Sequence, residues 1–251
     1  MTFERFKRGL RRRFFDKLVR FNNFILDIFR GRQAENVSDF AFLAEIQKRA
    51  AVRTDICDHL PALFAAGLAA KPKLIVELGV RGGESTFVFE RAAKITGAKL
   101  LSVDMNDCKD ASHWPEWNFV QSDDVFFARQ FVKFCNEHGW EPKIDLLFVD
   151  TSHEYNHTKA EIDVWLPFVS ENGQVVFHDT NLKEVYRRRD RSWGLGWNNE
   201  RGVIRAIEEY FGKKFDESQS FIEISRGWII QHESICQGFT ILKRVSASGQ
   251  E

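Results

Sequence analysis

Glycines and acidic residues follow the short apolar runs in the middle of this chain. In LIVELGVRGGEST, residues 74–86, an apolar run carries Glu77 near its end, and a loop with three glycines follows it. A glycine loop between a strand and a helix lets the backbone approach a ligand closely, and the helix N-terminus offers free N–H groups. The stretch therefore predicts a ligand-binding loop.

The spacing of the glycines argues against a dinucleotide as that ligand. Gly79, Gly82 and Gly83 follow the pattern G-x-x-G-G, whereas dinucleotide folds use G-x-G-x-x-G. A carboxylate at Glu77 would repel a pyrophosphate, but it suits a ligand that carries a positive charge. A nicotinamide-dependent dehydrogenase is therefore a poor candidate.

Polar residues after the loop indicate the rest of the ligand. Ser85 and Thr86 begin the following helix, where their hydroxyls could bind the carboxylate of an amino-acid moiety. Asp104 lies 21 residues after Gly83, near the end of the second apolar run, where an acid can accept both ribose hydroxyls. An aminoacyl nucleoside with a positive centre fits these features, and S-adenosylmethionine is such a molecule.

Five apolar runs, separated by segments of helical period, must position these residues. The runs are KLIVELGV (73–80), KLLSVDM (99–105), WNFVQSD (117–123), IDLLFVD (144–150) and GQVVFHD (173–179). Their alternation with helices predicts an α/β fold with a Rossmann-like, doubly wound, mostly parallel sheet. Ligands bind at the carboxyl ends of such strands. Four runs carry an acid there, namely Asp104, Asp123, Asp150 and Asp179.

The two ends of the chain depart from this pattern. Residues 38–70 are helical in period, with Ser38 as a candidate N-cap. SFIEISRGW (220–228) and QGFTILKRV (237–245) predict two strands that form an antiparallel edge hairpin at the C-terminal side of the sheet.

Residues 1–37 are predicted to be a basic helical appendage to one domain at 38–251. Residues 1–32 hold ten Lys/Arg against three Asp/Glu, a net charge of +7, whereas the whole chain is neutral. One apolar stripe recurs at helical spacing: Phe3, Phe6, Leu10, Phe14, Leu18, Phe21, Ile25 and Phe29. Three roles remain open for this helix: packing on its own domain, packing on a second copy in a homo-oligomer, and peripheral contact with an anionic membrane surface.

Composition excludes several classes of protein. The equal numbers of basic and acidic residues argue against nucleic acid as a partner. Four cysteines without a C-x-x-C pair predict a reduced protein with neither a disulfide framework nor a thiolate zinc site. No apolar run reaches the length of a membrane span, and none resembles a signal peptide. The expected location is the cytoplasm, at the inner membrane face if the appendage binds lipid.

Residues 73–181 resemble class I S-adenosylmethionine-dependent methyltransferases. ELGVRGGEST, SVDM and IDLLFVDTSHEYNHTKAEIDVWLPFVSENGQVVFHDTN are similar to the branch that includes macrolide sugar O-methyltransferases and cephalosporin-hydroxylase-like proteins. That branch typically reads D-x-x-H-x-Y, W-x-P-x-x-x-x-G-G and H-D. The basic N-terminal segment lies outside the resemblance.

The resemblance implies a set of cofactor contacts, from Glu77, Gly79, Gly83, Ser85, Asp104, Ser122 and Asp123. Ser122 and Asp123 would flank the adenine. Asp123 and Asp124 also precede a helical segment, so both are candidate N-caps. We expect Asp124 to be the cap and Asp123 the ligand.

The resemblance also implies a catalytic group at the ends of the fourth and fifth runs. Asp150 and Asp179 would bind Mg²⁺, a hard ion that prefers oxygen ligands. His153 would be the general base that deprotonates an acceptor hydroxyl. Thr180 stands where metal-using relatives often have a second acid, and it could contribute only a neutral oxygen. A metal-free site, and a capping role for His153, are the alternatives.

The predicted function is methyl transfer from S-adenosylmethionine to a hydroxyl of a sugar or glycoconjugate, so the expected partner is a small-molecule or glycan acceptor. The alternatives are a phenol or catechol acceptor and a non-catalytic membrane-surface module that keeps the cofactor fold. Trp193 and Trp197 could stack on an acceptor, and Arg187, Arg188 and Arg189 could meet a phosphate or carboxylate. Packing of these tryptophans under a surface loop is the structural alternative.

Overall fold

The computed structural model describes residues 3–30 and 40–245. Five strands correspond to the five apolar runs: β1 Leu74–Leu78, β2 Lys99–Asp104, β3 Trp117–Gln121, β4 Ile144–Val149 and β5 Val169–His178. They pair in parallel in the order β3-β2-β1-β4-β5. The predicted Rossmann-like sheet is therefore confirmed, and the carboxyl ends of these strands meet at one edge.

The helices of the described residues are α1 Phe3–Arg30, α2 Ala41–Ala50, α3 Leu60–Ala69, α4 Glu84–Thr96, α5 Asp124–Ala128, α6 Phe131–Glu137, α7 Tyr155–Trp165 and α8 Gly202–Phe211. Among them, none combines the length and the apolar character that crossing a bilayer requires. Ser38, the predicted cap, lies outside the described residues. Phe40 precedes α2, and its side chain makes no capping hydrogen bond.

Both faces of the sheet are buried. Neighbouring residues of its central strands point to opposite sides, and each side packs in its own core. Ile75 packs in a core with α2, α3 and α4, where the rings of Phe89 and Phe148 lie 5.4 Å apart. Val76 packs in the other core, which contains the ring pair of Phe131 and Trp165 at 5.2 Å. With both faces covered, the carboxyl edge of the sheet is the place left for polar chemistry.

The C-terminal edge of the sheet is antiparallel, as predicted, but it contains three strands. They are β8 Phe221–Ser225, β9 Trp228–Glu233 and β10 Phe239–Arg244, and they continue the sheet from β5 in the order β10-β9-β8. The two-strand prediction was wrong because Arg226 and Gly227, both at positive φ, form a tight turn between β8 and β9.

The loop after residue 181 forms a small hairpin of β6 Val185–Arg187 and β7 Trp193–Leu195. Arg188 is buried in it and donates to the carbonyls of Thr54 (2.8 Å) and Trp193 (2.7 Å) and to the hydroxyl of Tyr186 (2.9 Å). The prediction that Arg188 could meet a phosphate or carboxylate was therefore wrong, because its donors bind Thr54 and the hairpin itself.

Helix α1 packs on this hairpin. The side chain of Asn23 donates to the carbonyl of Trp193 (3.0 Å) and accepts from its N–H (2.8 Å), and Arg11 lies 2.8 Å from Glu184. Val19 is buried in the contact. The predicted stripe is not the packed face, since Phe14, Leu18 and Phe21 are exposed. The side chains of four of its members lie outside the described residues: Phe3, Phe6, Leu10 and Phe29.

Candidate functional site

A cavity of about 360 Å³ opens at the carboxyl ends of β1, β2, β3 and β4. Seven of the predicted site residues line it: Gly79, Ser85, Asp104, Ser122, Asp123, Asp150 and His153. Glu77, Gly83, Asp179 and Thr180 do not. The parallel topology thus brings together residues that lie far apart along the chain.

Glu77 is fully buried behind the loop and does not reach the cavity. Its carboxylate accepts hydrogen bonds from Ser85 (2.5 Å), Thr86 (2.8 Å) and Ser102 (2.5 Å). Burial nevertheless raises the pKa of Glu77 to about 7. We expected Glu77 and Ser85 to contact the cofactor directly. In the structure these two side chains bind each other and connect β1 to α4.

Two glycines of the loop are required by the backbone. Gly79 has φ +87°, and a Cβ there would lie 2.0 Å from the carbonyl oxygen of Asp150. Gly83 has φ +77° at the start of α4, and a Cβ would lie 3.0 Å from the carbonyl oxygen of Ala111. Gly82 faces open space. The loop therefore closes tightly against β4 while its Gly82 side stays open to a ligand.

Asp104 holds the glycine loop from the neighbouring strand end. Its Oδ2 accepts from the N–H groups of Val80 (2.8 Å) and Arg81 (3.1 Å), and its Oδ1 accepts from the N–H of Asn106 (2.8 Å). Burial opposes ionisation, but these donors outweigh it and lower the pKa of Asp104. A charged carboxylate is thus fixed at the cavity wall.

The N-cap of α5 is Asp123, not Asp124 as expected. Asp123 has extended backbone and accepts from the N–H of Phe126 at 2.7 Å. It still lines the cavity beside Ser122. Asp124 is already inside the helix, where its carboxylate lies 2.9 Å from Nε2 of His157. The cap was misassigned because the helix begins one residue earlier than we expected.

Asp150, His153 and Asp179 form a cluster at the cavity rim. One ligand atom from each lies within 4.8 Å of the others. Nε2 of His153 is 3.0 Å from Oδ2 of Asp179, and its Nδ1 is 3.9 Å from Oδ1 of Asp150. His153 and Asp179 both have left-handed backbone, with φ +60° and +57°. Such strain costs about 1–3 kcal/mol per residue and concentrates at functional sites.

His178 is buried between the two carboxylates of this cluster. Its Nδ1 lies 3.3 Å from an oxygen of Asp150 and 3.3 Å from an oxygen of Asp179. Burial disfavours the charged imidazole, but the two carboxylates outweigh it and raise the pKa of His178 to about 9. Burial also disfavours the charged form of both carboxyl groups. For Asp150 the attraction of His178 outweighs burial and lowers the pKa to about 2, whereas for Asp179 burial prevails and raises the pKa.

Thr180 does not point toward the cluster. Its buried hydroxyl accepts from the hydroxyl of Thr240 on β10 at 3.0 Å and lies 3.3 Å from Nδ1 of His232 on β9. The left-handed turn at Asp179 precedes it, and its side chain joins the edge of the sheet. The structure therefore does not support Thr180 as a metal ligand and leaves Asp150, Asp179 and His153 as the candidate group.

Sequence patterns predicted Trp197 but not the ion pair of Arg81 and Asp55 at the cavity. Arg81 lines it and forms a bidentate ion pair with Asp55 at 2.6 and 2.7 Å. Trp197 is exposed, with its ring 5.9 Å from the ring of His153. No local signal marks Asp55, because its role depends on a contact across 26 residues. Trp193 instead binds α1 through its backbone.

The middle of this chain is similar to known methyltransferases. Residues 76–180 match a family described as a methyltransferase domain. The rhamnosyl O-methyltransferase of Mycobacterium bovis is 31% identical over 120 residues, which cover 45% of this chain and 47% of that protein. The chain spans less than half the length of the curated relatives it matches first.

Solved methyltransferases share the fold. One from Geobacter sulfurreducens has a TM-score of 0.52 at 15% identity and covers 89% of this chain and 97% of its own. The mycinamycin-pathway methyltransferase MycE, solved with Mg, SAH and mycinamycin VI, has a TM-score of 0.51 at 15% identity and covers 87% and 58%. The resemblance to class I methyltransferases is therefore confirmed, and residues 76–180 are the part of the chain that matches the family.

The pair of half-buried His157 and buried Asp124 predicts a pH-dependent stability. The hydrogen bond with Asp124 raises the pKa of His157 to about 9, above its unfolded value of about 6.5. The stabilisation is therefore complete below about pH 6.5 and is lost as the pH rises through about 9. We expect His157→Gln to lower the free energy of unfolding by about 1–2 kcal/mol near pH 6 and by much less near pH 10.

Urea unfolding across this pH range measures the difference between parent and variant. His113→Gln is the matched control, because His113 is exposed. A difference for His157→Gln that stays constant with pH would show that the ion pair is not its source.

Proposed function

We propose that this chain is an S-adenosylmethionine-dependent methyltransferase that acts on a hydroxyl group of a sugar or glycoconjugate. One observation carries the proposal: His153 lines the same cavity as the glycine loop and Asp104, with a ring nitrogen 3.0 Å from the carboxylate of Asp179. This position at the rim of a nucleoside-sized pocket supports His153 as the general base.

The loop and the strand ends would bind the cofactor. The open side of Gly82 admits the methionine part close to the backbone, and Arg81 beside it can meet the carboxylate. The carboxylate of Asp104 can accept the ribose hydroxyls, and Ser122 and Asp123 flank the adenine end. Glu77 supports this pocket indirectly, because it holds Ser85 and Thr86 at the start of α4.

His153 would remove the proton of the acceptor. Asp179 lies 3.0 Å from its Nε2, so this carboxylate can orient the ring and stabilise the imidazolium, and Nδ1 is left to accept the proton. The acceptor oxygen forms a bond to the methyl carbon, the bond from that carbon to sulfur breaks, and its electron pair stays on sulfur. S-adenosylmethionine supplies the methyl group, and the protein supplies position and the base.

The donor set at the rim also fits a divalent ion. Asp150 and Asp179 offer carboxylate oxygens. Oδ1 of Asp179 is buried and makes no hydrogen bond among the described residues, although Nδ1 of His178 lies 3.3 Å from it. Hard ions such as Mg²⁺ prefer such oxygens. Bound there, the ion would supply Lewis-acid polarisation of the acceptor hydroxyl.

A sugar acceptor has two supports. The curated relative at 31% identity is a rhamnosyl O-methyltransferase. Trp197 is exposed 5.9 Å from His153, where its ring can cover the apolar face of a sugar. A phenol or catechol would use the same ring by stacking, so the acceptor class needs a direct test.

Asp104→Ala is expected to weaken cofactor binding at least about tenfold, because the variant loses both the ribose acceptor and the clasp on the loop. Calorimetric titration with S-adenosylmethionine measures the affinity. Asp107→Ala is the control, since Asp107 is exposed and bonds only to Lys109 among the described residues. Equal affinity of the Asp104 variant and the parent would remove Asp104 from the cofactor site.

His153→Ala is expected to leave S-adenosylmethionine affinity intact while transfer falls by about two to four orders of magnitude, the usual contribution of a general base. Transfer is followed with deoxyhexose glycosides and with catechols as acceptors. His113→Ala is the control for loss of an exposed histidine. Activity restricted to catechols would overturn the sugar acceptor, and full activity of the variant would exclude His153 as the base.

Chelation is expected to lower the transfer rate at least about tenfold, with recovery on adding Mg²⁺, because the ion would polarise the hydroxyl. Asp150→Asn should show the same loss without recovery. Thr180→Val is the control and should keep the Mg²⁺ response of the parent, because its hydroxyl faces Thr240. A rate that chelators leave unchanged would exclude the ion from the reaction and leave His153, oriented by Asp179, as the base that acts without it.

A further inference from the structure

Among the described side chains of helix α1, one side contacts the domain and another side exposes apolar residues. The contact face carries Arg11, Val19 and Asn23, which meet Glu184 and the backbone of Trp193. These contacts attach the helix to the domain, but they do not account for the apolar side chains that are exposed on its opposite face.

The opposite face carries four large apolar side chains: Phe14, Leu18, Phe21 and Phe24. They are between 38% and 65% exposed. Phe14, Leu18 and Phe21 are spaced by four and three residues, so they form one row along the helix. Three phenylalanines in one exposed patch cost free energy in water and mark an interaction surface.

Basic residues border this row. Arg13, Lys17 and Arg20 are all exposed on the same part of the helix, and Arg20 is partly neutralised by Asp16 at 2.9 Å. The sequence of residues 1–32 carries a net charge of +7. An apolar row flanked by Lys and Arg is the arrangement that places a helix in the interface of an anionic bilayer.

We propose that the row Phe14, Leu18, Phe21 and Phe24 docks on an anionic membrane surface. The phenylalanines would enter the boundary of headgroups and acyl chains, and Arg13 and Lys17 would meet lipid phosphates. Charge decides against a symmetric pair of chains, because a two-fold contact through this row would bring two basic helices together. The face used for the domain contact remains occupied during docking.

Co-sedimentation of the full chain with vesicles tests the proposal. We expect binding to phosphatidylcholine vesicles that contain about 30% phosphatidylglycerol and much weaker binding to phosphatidylcholine alone. Binding should fall at high salt, where the Debye length shrinks to about 3 Å at 1 M. Phe14→Ser/Phe21→Ser should reduce the bound fraction at least about fivefold.

Ile222→Ser/Ile224→Ser is the matched control, because these two residues are also highly exposed, on β8. It should bind vesicles like the parent. Arg13→Glu/Lys17→Glu keeps the phenylalanines and should lose the preference for anionic lipid, which protects the test if the first variant folds poorly.

Two results would overturn the proposal. One is a parent protein that does not sediment with anionic vesicles, or a phenylalanine variant that sediments like the parent. The other is a dimer in light scattering that Phe14→Ser/Phe21→Ser dissociates without any lipid binding, which would assign the row to a second copy of the chain.

Discussion

Two carboxylates and one imidazole form the interaction on which the rest of this site depends. Asp150 and Asp179 end adjacent parallel strands, so the sheet itself brings their charges together at its buried edge. His178 lies 3.3 Å from both, and its charge limits their repulsion. With that charge balance in place, Asp179 can hold His153 at the rim of the cavity.

The cofactor side of the cavity follows a similar logic, with polar groups satisfied by the chain itself. Glu77 is buried among three hydroxyls, and Asp104 accepts from the backbone of the glycine loop. These bonds shape the loop before any ligand binds, which lowers the ordering cost of binding. Gly79 completes the arrangement, since the carbonyl of Asp150 leaves no room for a side chain there. The loop and the cluster of Asp150, His153 and Asp179 are thereby joined through β4.

Local sequence pattern was enough to predict the parallel sheet and the positions of its strand ends. A strand buried on both faces appears as an apolar run, and the glycines and acidic residues after the run mark its end. Local pattern failed where the outcome depends on one backbone angle or on distant contacts. The left-handed turn at Asp179 precedes a Thr180 that bonds to β10. The run of three arginines suggested that Arg188 binds a ligand. In the structure, Arg188 donates hydrogen bonds to the carbonyls of Thr54, which lies far from it in the sequence, and of Trp193 on strand β7.

The backbone of Gly202 at the start of α8 lies against the backbone of His153. A Cβ on Gly202 would lie 2.3 Å from the carbonyl oxygen of His153. A homologue can therefore retain Asp150, His153 and Asp179 and still lose their alignment through one methyl group at the start of α8. When active homologues are distinguished from inactive ones, a glycine at the position of Gly202 is therefore as informative as the histidine, although it has no reactive side chain.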